Sequence, residues 1–116
     1  MNHQGPLKGL RIVEFAGIGP GPYCGMLLAD LGAEVIQIDR PAGVTGAYGL
    51  DPTKDILNRG RRSVTLDMKK PEDVEQALLL VDTADAVIEA NRPGVAERRR
   101  DEPYVRVRLP CRRRFR

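Results

Sequence analysis

Three basic side chains follow short apolar segments of the kind that form buried strands: Arg40, Lys69 and Arg92. The carboxyl ends of parallel strands lie at one edge of a sheet, and open α/β sheets bind their ligands outside that edge. Fixed cations gathered there would hold the phosphate groups of an anionic ligand. For Arg40 taken alone, a surface ion pair with Asp39 or Glu34 is the alternative interpretation.

A second basic cluster, at Arg59, Arg61 and Arg62, precedes the third apolar segment. Its charges could serve the same ligand. A solvated loop is an equally good interpretation, because runs of like charge are usually exposed to water.

A glycine- and proline-rich turn, GIGPGP at 17–22, lies between the first strand and the first helix. Gly17 and Gly19 begin a G-x-G-x-x-G pattern of the dinucleotide-binding type. However, Pro20 and Pro22 lack the backbone N–H groups that a pyrophosphate cradle needs, and Pro22 replaces the third glycine. The turn therefore either lines some other ligand site or only lets the chain reverse tightly.

The sequence offers no group for general acid–base catalysis. His3 is the only histidine and lies in a polar lead-in, 1–9. The aspartates near the predicted sheet have no partner that would make an acid–base pair: Asp30, Asp39 and Asp67. Two cysteines, Cys24 and Cys111, have neither metal-ligand spacing nor the number needed for a disulfide scaffold. We predict no catalytic residue and no metal site in this chain.

Strand and helix patterns alternate along the chain, which favours an α/β fold with a parallel sheet. Gly32 is expected to cap the first helix in a left-handed conformation, and Pro71, followed by two acids, marks the start of the second. The segment 41–62 is expected to be a long loop. We predict a partial Rossmann-like, mostly parallel sheet of about four strands with flanking helices, with strands at Ile12–Phe15, Val35–Ile38, Ser63–Met68 and Ala86–Ile88 and helices at Tyr23–Leu31 and Pro71–Val81.

The charge is divided unevenly along the chain. Residues 1–97 carry ten Lys or Arg and fourteen Asp or Glu, a net charge of −4, whereas residues 98–116 carry nine arginines and two acids, a net charge of +7. From 99 onward no periodicity would bury a face. Three explanations remain open for this tail: a basic arm for nucleic acid, a solvated disordered segment, and a shifted reading frame, which we favour. We therefore divide the chain into an α/β portion, 1–98, and a tail, 99–116.

The motifs GIGPGPYCGMLLADLGAEVIQIDRP, RRSVTLDMKKPED and EANRPGV resemble those of the α-methylacyl-CoA racemases, in the family III CoA-transferase superfamily. The resemblance covers residues 7–98 and implies an acyl-CoA thioester as ligand, with no cofactor beyond its coenzyme A moiety. It implies that Ile18 and Pro20 line the acyl-thioester pocket. It also implies contacts with the nucleotide or pantetheine parts of coenzyme A from Arg40, Leu66, Lys69, Ala90, Arg92 and Arg98.

The resemblance further implies the amino-terminal, coenzyme A-binding portion of a racemase that epimerises 2-methylacyl-CoA by removing and returning the α-proton. In the family, the catalytic His and Asp lie in segments beyond this sequence, so we expect the chain to be inactive alone. A family III CoA-transferase fragment is one alternative. A non-catalytic binding module whose basic tail holds nucleic acid is another, and we consider it less favoured because the tail has few aromatic side chains for stacking.

The resemblance implies a homodimer for full-length family members. The longest apolar run is too short to cross a bilayer, and the amino terminus lacks the apolar core of a secretory signal. The sequence therefore predicts no membrane partner and a cytoplasmic location.

Overall fold

The computed structural model describes residues 4–41 and 52–90. In these two ranges four strands alternate with two helices. Two short 3₁₀ turns, Pro52–Lys54 and Ile56–Asn58, precede the third strand. The helices and strands are β1 (Arg11–Phe15), α1 (Pro20–Asp30), β2 (Glu34–Asp39), β3 (Arg61–Thr65), α2 (Pro71–Asp82) and β4 (Ala86–Ile88).

The four described strands form one sheet in the order β3-β2-β1-β4, and every neighbouring pair is parallel. Val13 in the middle of β1 lies beside Ile36 of β2 and Val87 of β4. On the far side of β2, Ile38 pairs with Val64 of β3. The predicted fold class is thus confirmed, and most residues inside both central strands are buried, as expected for a sheet covered on two faces.

The two helices cover opposite faces of the sheet. One apolar cluster joins α1 to the sheet; its buried members are Ile12, Ala29, Ala33 and Val35. The other joins α2 to the opposite face; its buried members are Val13, Ile38, Leu66 and Ala77. Successive strand residues point to opposite faces, so Ile12 and Val13 belong to different clusters.

The predicted helix signals are largely confirmed. α2 begins at Pro71 with two acids in its first turn, as the proline and the acids indicated. Gly32 follows α1 with φ 99°, a left-handed conformation that strongly favours glycine. α1 begins at Pro20, three residues earlier than predicted, because proline fits the first helical position, where no intrahelical N–H bond is required.

The prediction for the third strand was displaced by two to three residues. β3 spans Arg61–Thr65 rather than Ser63–Met68. Its first two residues are arginines. The prediction searched for alternating apolar residues, so it missed a strand that begins with two charged ones. After β3 the chain turns inward at Leu66, whose N–H still donates to the carbonyl of Asp39 at 2.9 Å.

Several predictions concern residues outside 4–41 and 52–90: those for His3, Arg92, Arg98, Cys111 and the tail 99–116. The predicted loop 41–62 is described only at its first residue and from 52 onward. Within the described ranges, no helix is both long enough and apolar enough to span a bilayer.

Candidate ligand-binding site

A crevice is expected where the strand order reverses. From β1 the chain moves through α1 to β2 and β3 on one side, then returns through α2 to β4 on the other side. The two connecting helices lie on opposite faces, so the strand order reverses between β1 and β4. Ligands of open α/β sheets bind at this switch point, outside the carboxyl ends of the strands.

The turn after β1 lies at this switch point. The N–H of Ala16 donates to the carbonyl of Ile38 at 2.9 Å, which continues the sheet by one bond. Gly19 then takes φ 88°, and α1 starts at Pro20 without a side-chain cap. Ile18 is 63% exposed and Pro20 is also exposed. Both residues implied for the acyl pocket therefore lie at the switch point and are open to solvent.

Ala90, two residues after β4, packs directly on the start of α1. A Cβ placed on Gly21 would lie only 2.7 Å from the Cβ of Ala90, and one placed on Gly17 would lie 3.6 Å from it. The glycines therefore permit the segments that follow β1 and β4 to touch. Ala90, implied as a coenzyme A contact, therefore lies at the same switch point as Ile18.

Two of the predicted cations continue this edge of the sheet. Arg40 comes directly after β2, and Lys69 lies in the turn that follows β3; both are exposed. Among the described residues, neither has a carboxylate within 4.0 Å, so the alternative pairing of Arg40 with Asp39 or Glu34 is not formed. Neighbouring strands lie about 4.8 Å apart, so the four strand ends make a row about 14 Å long.

Leu66 contributes differently from the other residues implied by the resemblance. Its side chain is 7% exposed and packs in the α2-side cluster. Its N–H donates to the carbonyl of Asp39 at 2.9 Å, so neither the side chain nor the N–H is presented to a ligand. The sequence could not distinguish these roles, because an apolar residue at a strand end suits either one.

The second basic cluster is divided among three carboxylates. Arg59 pairs with Asp30 at 2.6 Å, and this hydrogen bond holds the pKa of Asp30 below its ordinary value. Arg62 lies 3.3 Å from Glu34, which also binds Arg11 at 2.8 Å. The third ion pair, made by Arg61, is described next. The interpretation of these arginines as a solvated loop is wrong for Arg61, and none of the three is left unpaired for a ligand.

Arg61 and Glu14 form a buried ion pair that sequence reasoning missed. Their side chains are 2% and 0% exposed, and Nη1 of Arg61 binds Oε2 of Glu14. Nη2 of Arg61 also donates to the carbonyls of Pro22 and Leu57. Burial raises the pKa of Glu14 even though the Arg61 charge opposes the shift. The available signals were an acid inside the apolar run of β1 and a glycine, Gly25, inside α1.

A second carboxyl group lies near this pair. Asp39 ends β2, and burial raises its pKa while the Arg61 charge acts in the opposite direction. The side-chain amide of Gln37 donates to Asp39 at 3.3 Å. Among the described residues, no group of three or more His, Cys, Asp or Glu side chains is placed to bind a metal ion.

Residues 7–103 match the sequence model of CoA-transferase family III. The chain belongs to this family. It is 44% identical over 92 residues to an α-methylacyl-CoA racemase of Mus musculus, covering 79% of this chain and 22% of the relative. It is 37% identical over 124 residues to a succinate–glutarate CoA-transferase of Agrobacterium fabrum, covering 94% of this chain and 31% of the relative.

The fold agrees with a solved structure of the family. The crystal structure of Rv3272 from Mycobacterium tuberculosis in an orthorhombic form superposes with a TM-score of 0.71 at 37% identity, covering 89% of this chain and 32% of that chain. Across these three comparisons, this family III chain spans less than a third of the length of the proteins it matches.

Proposed function

We propose that this chain binds the coenzyme A moiety of an acyl-CoA thioester and is the coenzyme A-binding portion of a racemase acting on 2-methylacyl-CoA. The observation that carries this proposal is the placement of two exposed cations, Arg40 and Lys69, after β2 and β3 at the carboxyl edge of the sheet, with no carboxylate of the described residues within 4.0 Å of either. The likeness to the mouse racemase supports the choice of substrate.

An extended ligand with phosphates at one end and an acyl thioester at the other suits a row of strand ends. Arg40 and Lys69 would bind phosphate oxygens, since exposed cations at a fixed edge favour polyanions. The thioester would lie toward the other end of the row, against Ile18 and Pro20, which follow β1. Leu66 follows β3 on the side of the cations, and Ala90 follows β4, beyond Ile18. Main-chain groups at both would contact the pantetheine arm.

The proposed set also includes Arg92 and Arg98, which follow Ala90 in the sequence. Both would add cations for the phosphate groups of coenzyme A. No cofactor beyond the coenzyme A moiety is needed, because the thioester itself acidifies the α-carbon.

Epimerisation at that carbon requires one group to remove a proton and another to return a proton on the opposite face of the enolate. The aspartates of this site do not form such a pair: Asp30 binds Arg59, and Asp39 neighbours the buried Glu14–Arg61 pair. We therefore expect the purified chain to show no exchange of the α-proton of a 2-methylacyl-CoA in D₂O, as followed by NMR.

Calorimetric titration with coenzyme A tests the binding proposal. Arg40→Ala and Lys69→Ala should each weaken binding about tenfold, because a hydrogen bond to a charged group contributes about 1.5 kcal/mol. Lys8→Ala is the matched control: Lys8 is also exposed but precedes β1, at the opposite edge of the sheet. No binding at millimolar coenzyme A, or an equal loss in the control, would overturn the proposal.

A family III CoA-transferase is the second candidate, favoured by the likeness to the Agrobacterium transferase. A racemase must hold both epimers of its substrate, whereas a transferase has no such requirement. Comparable affinity for the two 2-methylacyl-CoA epimers would favour the racemase. Tighter binding of succinyl-CoA than of either epimer would favour the transferase.

We also infer a cytoplasmic homodimer without a nucleic-acid partner. Cell fractionation tests the location, and sedimentation velocity tests the dimer. Salt-dependent binding of mixed-sequence DNA that persists after deletion of residues 99–116 would contradict the assignment of the excess positive charge to the tail.

A further inference from the structure

We propose that Arg61 is a positioning residue for this ligand site. Its buried guanidinium fixes the start of α1, and with it the turn 17–22, against the 3₁₀ turn Ile56–Asn58. This inference rests on the proposed function for its ligand, but the placement of the turn can be measured without any ligand.

One guanidinium joins three segments: β1, the start of α1 and the 3₁₀ turn Ile56–Asn58, which lies just before β3 in the sequence. Nη1 binds Glu14 on β1, and Nη2 donates both to the carbonyl of Pro22 in the first turn of α1 and to that of Leu57. Arginine suits this arrangement, because its planar group carries five N–H donors in a fixed geometry. A lysine could keep the charge opposite Glu14 but could not reproduce the rigid fork.

Gly25 shows that α1 passes directly over the ion pair. A Cβ added to Gly25 would lie 2.2 Å from Oε2 of Glu14 and 3.1 Å from Nη1 of Arg61. Glycine is unfavourable inside a helix relative to alanine. The absence of a side chain here therefore leaves room for the charged groups between helix and sheet.

The start of α1 needs such an internal anchor. Its N-cap, Gly19, provides no side-chain hydrogen bond, and the prolines at 20 and 22 have no N–H. The same first turn packs against Ala90, which follows β4. A shift of this turn would therefore change the crevice where the acyl-thioester is proposed to bind.

Stability alone does not account for the pair. Glu14 Oε1 and Arg61 Nε are buried and have no hydrogen-bond partner in the described part of the chain. Apolar residues of similar volume often replace such pairs without loss of stability. What they cannot replace is the directional contact from Arg61 to Pro22 and Leu57.

Hydrogen exchange of the ligand-free protein is the first test. Arg61→Lys should speed exchange at least tenfold at the amides of Tyr23 and Met26, the helical i→i−4 donors to Gly19 and Pro22, while the amides of β2 keep their rates. Arg62→Lys is the matched control, since Arg62 is the next residue on the same strand and pairs at the surface with Glu34. Unchanged rates at the turn, or an equal rise throughout the sheet, would overturn the inference.

The second test separates position from stability. The double variant Glu14→Leu/Arg61→Met removes both charges and should melt near the wild-type temperature. Its affinity for coenzyme A thioesters should nevertheless fall at least tenfold. A double variant with wild-type melting and wild-type affinity would overturn the role of Arg61 in the site. If the double variant does not fold, Arg61→Lys provides the same comparison of melting and affinity.

If the wild-type chain itself binds no coenzyme A, the proposed function fails, while the exchange rates still decide whether Arg61 positions the turn.

Discussion

The two faces of the sheet are built from different interactions. Under α2 the contacts are apolar: Val13, Ile38 and Leu66 meet Ala77 of the helix. Under α1 a smaller apolar cluster shares the face with a buried ion pair, and a glycine gives the charges room.

This difference separates the interactions that stabilise the fold from those that fix the position of a helix on the sheet. Apolar burial stabilises a fold but is non-directional, so a helix held only by such contacts can shift with little loss. A guanidinium hydrogen-bonded to two carbonyls fixes direction as well as distance. The α1 face has the directional contacts at the start of its helix, whereas the α2 face has more partly buried apolar side chains around its four buried ones.

The largest expected effect comes from removing one charge of the α1 face. Glu14→Leu leaves the Arg61 guanidinium buried and uncompensated, so the free energy of unfolding should fall by about 3–5 kcal/mol. Urea denaturation measures this loss, with Glu75→Leu on the exposed side of α2 as a control expected within about 0.5 kcal/mol of wild type. If Glu14→Leu lowered the free energy of unfolding as little as the control does, the buried ion pair would not distinguish the α1 face from the α2 face.

A cavity on the α2 face should act through stability alone. Ile38→Ala removes a side chain that is 3% exposed, at an expected cost of about 2–4 kcal/mol in the free energy of unfolding. Since the first turn of α1 keeps its anchor, exchange at the turn amides should rise no more than the global loss of stability requires. Selective loosening of the turn in this variant would contradict the division between the faces.

Filling the space over the ion pair should also destabilise the protein. Alanine is the better helix former, by about 1 kcal/mol, yet Gly25→Ala would set a Cβ against Glu14. Overpacking of this kind costs about 1–3 kcal/mol, so a lower urea midpoint is expected. Cys24→Ala, at the exposed neighbouring position, should leave the midpoint near that of wild type; a gain in stability from Gly25→Ala would show that the ion pair can move aside.

The smallest expected effect is a pH dependence on the α1 face. Burial raises the pKa of Asp39 above its ordinary value of 3.8, so the folded state binds this proton more tightly than the unfolded state does. Stability from this group should therefore fall as pH rises from 3.8 through the raised pKa. Urea midpoints across this range should fall less steeply in Asp39→Asn. The lowered pKa of Asp30 has the opposite effect on stability, which is lost as pH falls below 3.8. Asp30 is present in both the wild type and Asp39→Asn, so its contribution does not change the comparison. Equal slopes in the two proteins would contradict the assignment to Asp39.

Local signals in the sequence located most elements of the fold. Pro71 with its two acids marked the start of α2, Gly32 marked the turn after α1, and the run 86–88 matched β4. The alternation of strand and helix gave the parallel α/β class. The error at β3 arose because Arg61 begins a strand with a charged side chain, and its carboxylate partner lies 47 residues away.

For the site, the sequence indicated which residues follow the strands but not what each side chain contacts. Arg40 and Arg61 look alike as basic residues near strand boundaries, yet Arg40 is exposed and Arg61 is buried. Leu66 was implied as a ligand contact, and its side chain packs in the core. Burial of this kind depends on which helix crosses which strand, so a local pattern does not reveal it.

The amino-acid sequence by itself determined the fold class, the start of α2 at Pro71, the turn at Gly32 and the family resemblance, because these depend on residues close together in the chain. Only the tertiary structure decided that Glu14, Pro22, Leu57 and Arg61 meet at one point beside the crevice. Long-range charge pairing depends on burial and on the path of the backbone. Both exist only once the helices have packed on the sheet.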